Sequence, residues 1–147
     1  MEPQAAIQDV VTRFYAAVDG RDWDGVTELM TDPFYVDYSS FGGDAPSDLY
    51  PDVIVEEWQE LLPGFDSTCH QLGDLDVAVN GANAKVQCDV TVTHTIGDRV
   101  WTVLGRYENT LAFEAETWML SGSQFIFDRQ EGDTELQAEA RRRAEAL

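Results

Sequence analysis

The sequence predicts an α+β fold in which about three helices pack on a cone-shaped, strongly curved sheet, mixed but mostly antiparallel. Three observations carry that prediction. Apolar residues recur at helical spacing through the first third, and the period changes to two after Thr68. Asn80-Gly81 and Gly97-Asp98 then cut the second half into strands with short turns. With 147 residues, 44% of them hydrophobic, the chain suffices for one core, and residues 1–147 are read as one domain without repeat or linker.

Ile7, Val10, Val11, Phe14 and Val18 share one helical face, and Gly20 is placed to stop that helix. A short second helix follows, with Asp22 as cap and Trp23, Val26, Leu29 and Met30 pointing one way; Thr31-Asp32-Pro33 is expected to break it. Phe34 to Tyr38 alternates like a strand, and the glycine, proline and serine density from Ser39 to Ser47 reads as a loop. Val53, Ile54, Glu57, Trp58, Leu61 and Leu62 mark a third helix ending at Pro63-Gly64.

From Thr68 to Ile96 the pattern gives two long strands paired about Asn80-Gly81, with Val86, Cys88, Val90, Val92, His94 and Ile96 on one face. Trp101, Val103, Gly105, Tyr107, Asn109, Leu111 and Phe113 share a face of the next strand, and Trp118 to Phe127 forms another. Residues 134–147 read as a helix whose Arg141-Arg142-Arg143 run is a solvated C-terminal face, favoured by the helix dipole.

The 28 acidic and 9 basic residues, Lys85 the only lysine, give a net charge of -19. Such a surface repels nucleic acid and anionic membranes, so neither is an expected partner. No secretory leader or membrane-spanning run is apparent, and a cytoplasmic location is expected. Cys69 and Cys88 lack metal or disulfide spacing and read as small buried hydrophobes.

The chain has two histidines, His70 and His94, which a register offset about the Asn80-Gly81 turn would make neighbours. Asp19 closes the first helix beside Val18, where a carboxylate needs a basic partner, and a histidine is the obvious one. A carboxylate accepting an imidazole Nδ1–H fixes the tautomer and suits proton transfer near neutral pH. Tyr38, Tyr107 and Asn109, on inward strand faces, are placed to hydrogen-bond a carbonyl or hydroxyl, with Phe41 and Trp58 completing the candidate substrate-binding set.

The segments Val18-Asp19-Gly20-Arg21-Asp22-Trp23-Asp24, Val36-Asp37-Tyr38-Ser39-Ser40-Phe41, Thr68-Cys69-His70-Gln71-Leu72-Gly73 and Val92-Thr93-His94 resemble scytalone dehydratase. They equally resemble its bacterial SnoaL-like, polyketide cyclase-like relatives in the nuclear transport factor 2-like superfamily. Gly105 to Asn109 and Trp118 extend the resemblance, which spans Ala5 to Arg129. It implies a cone fold, no cofactor, and catalysis by Asp19, His94, His70 and Tyr38, with Asn109 near a substrate-binding asparagine. It also implies a homo-oligomer, trimer or dimer. Val18 departs from the pattern: scytalone dehydratase has a second water-holding tyrosine there.

The reading that follows is a cofactor-independent dehydratase acting on a small hydroxy-carbonyl, polyketide-like or steroid-like compound. His70 would remove a proton α to a carbonyl, Tyr38 would steady the enolate, and protonated His94, held by Asp19, would assist hydroxide departure. The alternatives are a cyclase or isomerase using the same residues, and a non-catalytic small-molecule carrier. A two-histidine, one-carboxylate iron site is a further reading to which the spacing gives little support, and no metal is expected.

Overall fold

The computed structural model describes residues 2–147. The chain runs through helices α1 (Pro3–Asp19) and α2 (Trp23–Glu28), strands β1 (Met30–Asp37) and β2 (Ser47–Leu49), and helix α3 (Pro51–Gln59). Strands β3 (Ser67–Leu72), β4 (Asp76–Asn80), β5 (Asn83–Ile96), β6 (Arg99–Glu114) and β7 (Thr117–Gly132) follow, and helix α4 (Leu136–Glu145) closes it. All seven strands form one sheet ordered β2-β1-β7-β6-β5-β3, with β4 also on β5. Only the β1–β7 pairing is parallel.

Proline at its first turn opens α1, and it ends where the Gly20 N–H donates to the Ala16 carbonyl and the Arg21 N–H to the Val18 carbonyl. The face bearing Ile7, Val10, Val11, Phe14, Tyr15 and Val18 is buried, each large apolar side chain contributing on the order of 2 kcal/mol. Asp22 caps α2 by accepting the Gly25 N–H at 3.1 Å. That helix stops at Glu28, and Met30 to Pro33, expected to finish or break a helix, belong to β1. Pro33 is tolerated because pairing with β7 jumps from Met30 to Tyr35, so its missing N–H interrupts no bond of that ladder.

Three further features differ from the sequence pattern. The expected loop from Ser39 contains a 3₁₀ turn over Ser39–Phe41, and its end pairs with β1 as the edge strand β2. Strand β7 continues five residues beyond Phe127, to Gly132, because Leu104 to Trp101 of β6 offer it partners. Cys69 is exposed and Cys88 buried, since neighbouring strand residues face opposite ways.

The sheet bends at two irregularities between β6 and β7, after Leu104 and after Thr110. At the first, Gly105 is required, because a Cβ there would meet the Ile126 carbonyl and the Phe125 ring. Helix α4 closes the open end of the cone through buried Leu136 and Ala140, and an Arg99–Glu139 ion pair at 2.6 Å fastens its outer side. Gly64 makes this closure possible, since its bare Cα lies against the Ala140 carbonyl. No described helix is long and apolar enough to cross a membrane.

The expected single long strand from Thr68 is broken at residues 73–75, and the two pieces differ in register by one residue. In β4 the partners are Asp76↔Gln87 to Asn80↔Asn83; in β3 they are Ser67↔Thr95 to Leu72↔Val90. A one-residue slip exchanges the faces of a strand. Val77 shares the inner face in β4, whereas Thr68, His70 and Leu72 share it in β3. Without the slip, His70 would point away from His94.

Candidate active site

His70 pairs across the ladder with Val92, and Thr68 with His94, which puts both imidazoles on the concave face one diagonal step apart. Both line a cavity of about 440 Å³ together with Tyr15, Tyr38, Phe41, Trp58, Trp101, Tyr107 and Phe125. Of the sequence-predicted residues, His70, His94, Tyr38, Tyr107, Phe41 and Trp58 therefore share one chamber.

Asp19 meets His70, not His94 as expected. Its Oδ1 lies 2.6 Å from His70 Nδ1, and its Oδ2 accepts the His70 backbone N–H at 2.8 Å. The end of α1 lies over β3, so its last carboxylate reaches the nearer strand and leaves β5 out of range. Burial alone would raise the Asp19 pKa. The hydrogen bonds and charge of His70, with help from Thr68, overcome that and hold it below the usual carboxylate range. An ionised Asp19 can only accept, so Nδ1 carries a proton, and in the neutral ring it is Nε2 that presents the lone pair.

Arg21 fixes this arrangement and was not singled out by sequence. It sits at φ 58, just past Gly20. Its guanidinium donates to Thr68 Oγ1 at 2.7 Å, to the Leu62 carbonyl at 2.8 Å and to the Val18 carbonyl at 3.2 Å. Thr68 in turn donates to Asp19 at 3.4 Å. The signal was an arginine two residues after a candidate aspartate, a weak one without tertiary contacts.

His94 is held differently. Its Nδ1 lies 3.0 Å from the Trp101 carbonyl, which can only accept, so Nδ1 is protonated and Nε2 is again the acceptor. The ring stacks on Trp101 at 4.3 Å and meets Phe65 at 4.8 Å. Burial, reinforced by the charges of His70 and Arg21, pushes its pKa down to about 4 against the effect of the carbonyl and of Asp19. The expected protonated His94 held by Asp19 is thus corrected: at neutral pH this imidazole is uncharged, because desolvation wins where no carboxylate touches it.

Tyr38 follows β1 and lines the chamber, and burial pushes its hydroxyl up to about 12, leaving it a neutral donor. Tyr15, one turn before Val18 on the buried face of α1, was missed by sequence, although its place in the helical pattern was visible. Its ring stacks on Tyr107 at 4.7 Å and lies 5.2 Å from His70. Asn109 does not line the cavity. It is wholly buried behind Tyr15 and hydrogen-bonds that hydroxyl at 3.2–3.3 Å, so it is a support for Tyr15 and no direct ligand group. Arg141, assigned to a solvated face, lines the cavity with Gln137 because α4 lies across its mouth. Among the described residues no three His, Cys, Asp or Glu side chains form a group able to hold a metal ion.

Comparison with known proteins follows the same lines. Residues 1–123 match the family model described as a SnoaL-like domain. The chain is 31% identical over 85 residues to the uncharacterized protein Rv2910c of Mycobacterium tuberculosis; that match covers 56% of this chain and 55% of the relative, so the chain spans about half of its length. The crystal structure of the Kfla4162 protein from Kribbella flavida superposes with a TM-score of 0.84 at 22% identity, over 92% of this chain and 96% of that one. A proposed scytalone dehydratase from Novosphingobium aromaticivorans gives 0.74 at 15% identity, over 88% and 87%. Hexachlorocyclohexane dehydrochlorinase LinA-type3 from Novosphingobium barchaimii gives 0.75 at 16%, over 89% and 90%. At these identities the structural likenesses establish the nuclear transport factor 2-like fold.

Proposed function

The chain belongs to the SnoaL-like domain family, and from that premise we propose that it is a lyase which eliminates water from a small cyclic hydroxy-carbonyl compound by acid–base catalysis. The observation that carries this reading is the Asp19–His70 contact at 2.6 Å, with the free Nε2 of His70 left for the chamber. Dehydratase and dehydrochlorinase, the names of two structural neighbours, both denote removal of a proton and an adjacent leaving group.

In this reading His70 Nε2 takes the proton α to the carbonyl, and Asp19 balances the positive charge the ring acquires. The Tyr38 hydroxyl donates to the enolate oxygen. Hydroxide is a poor leaving group and needs a proton. His94 has none to give at neutral pH, so the acid is His70 itself, returning the proton it removed. The C–H and C–O bonds therefore break on the same face of the substrate, the double bond forms, and the imidazole ends neutral. His94 Nε2 accepts the hydroxyl hydrogen and orients the leaving group.

A panel of cyclic β-hydroxyketones, followed by mass spectrometry for loss of one water, tests the reading. Water loss that disappears in His70→Asn supports it. Altered products of unchanged mass point to the cyclase or isomerase alternative, which the same dyad serves. Ligand binding without turnover, unchanged in His70→Asn, points to a carrier.

A further inference from the structure

His70 forms part of the wall of two separate spaces. Besides the main chamber, a cleft of about 360 Å³ lies between α1 and the break that separates β3 from β4, bounded by Thr12, Ala16, Asp19, His70, Gly73 and Leu75. Of the two spaces Asp19 lines the cleft and not the chamber, while Tyr15 and His70 line both. The Tyr15 and His70 rings, 5.2 Å apart, are thus the partition. Thr12, Ala16 and Gly73 are exposed, so the cleft opens to solvent. The pair is wetter on that side: the Asp19 side chain is 22% exposed and the His70 side chain 9%.

From this geometry we propose that the proton shared by His70 Nδ1 and Asp19 exchanges with solvent through the second cleft, carried by water and small neutral bases such as imidazole. When the ring is protonated on both nitrogens, the carrier's lone pair takes the Nδ1 proton and the carrier leaves as a cation; the ring stays neutral with its proton on Nε2, and the reverse step returns a solvent proton to Nδ1. The surroundings favour that carrier chemistry. A chain of net charge -19 attracts the departing cation and opposes anionic bases such as acetate or phosphate. Arg13 on α1 and Arg21 just after it do not reverse this, since Arg13 is paired with Asp9 at 2.8 Å and Arg21 is turned to Thr68 and Leu62. The consequence is that a ligand filling the main chamber does not seal the dyad from water.

The proposal rests on the dyad and not on the elimination chemistry, so it is tested without substrate. With ¹⁵N-histidine-labelled protein, the His70 Nδ1–H resonance is assigned by its persistence in His94→Gln, and its exchange with water is followed as imidazole or acetate is added. Ala16→Leu and Thr12→Leu narrow the cleft from the exposed side of α1, where a helix tolerates leucine well; Ala16→Ser is the size control. The expected result is exchange slowed by at least about tenfold in both leucine variants, near wild-type exchange in the serine variant, and acceleration by imidazole well above that by acetate. Wild-type exchange in both leucine variants, or equal acceleration by the two buffers, would overturn it.

Discussion

The two histidines of the chamber sit one diagonal step apart and live in opposite surroundings. On the β3 side, His70 has a carboxylate on Nδ1, a backbone amide tied to the same carboxylate, and solvent close behind it. On the β5 side, His94 has a carbonyl on Nδ1, an indole stacked on its face and no carboxylate in contact. The same side chain therefore has a carboxylate against its ring in one place and is a neutral acceptor in the other. What separates them is which second-layer group reaches Nδ1, and that is decided by where α1 ends.

The largest expected effect falls on the charge-carrying side. In the proposed elimination, His70→Asn should lower kcat about 10³-fold or more with melting temperature little changed, measured by initial rates and circular dichroism. Asp19→Asn should cost about 10²- to 10³-fold, because an amide no longer fixes the tautomer. His94→Gln should cost less than either, since it removes an acceptor and no proton donor. If His94→Gln proves the more damaging, the assignment of roles to the two sides is reversed.

The difference is also readable in stability. Folding depresses the His94 pKa from 6.5 to about 4, so below pH 6.5 the unfolded chain binds the proton more readily than the folded one. Stability from this group is fully present above pH 6.5, is lost as pH falls towards 4, and amounts to on the order of 3 kcal/mol. Urea melts of wild type and His94→Phe between pH 7.5 and 4.5 should converge with acidification by that amount. Asp19 acts in the same direction over a lower window: its depressed pKa stabilises the fold above the ordinary carboxylate pKa, and that stability is lost only in stronger acid. Parallel pH curves for wild type and His94→Phe would show that His94 is not buried neutral.

The smallest expected effect lies behind the wall. Asn109→Ala removes the partner of the Tyr15 hydroxyl and should cost about 1–3 kcal/mol of stability, read as a lower urea midpoint. Because Asn109 touches no chamber space, substrate affinity should move less than stability does.

Helix faces, turn dipeptides and strand alternation were legible because each depends on residues within one turn or one ladder step. Val10, Val11, Phe14 and Val18 had to be buried together wherever α1 packed. The inner face of β5, with His94 on it, followed from simple alternation. The boundaries that slipped, at Met30, Ser47 and Gly132, are set by pairing partners distant in sequence, to which local periodicity is blind.

By itself, then, the sequence determined the class of fold, the aromatic and histidine content of one chamber, and the need of Asp19 for a basic partner. The tertiary structure alone decided that the partner is His70, that Tyr15 stands in the wall with Asn109 behind it, and that Arg141 reaches the mouth. The physical reason is the break at residues 73–75. Side-chain direction in a strand has a period of two, so a single residue of register change turns His70 inward, and no local pattern records on which side of the break that change is made.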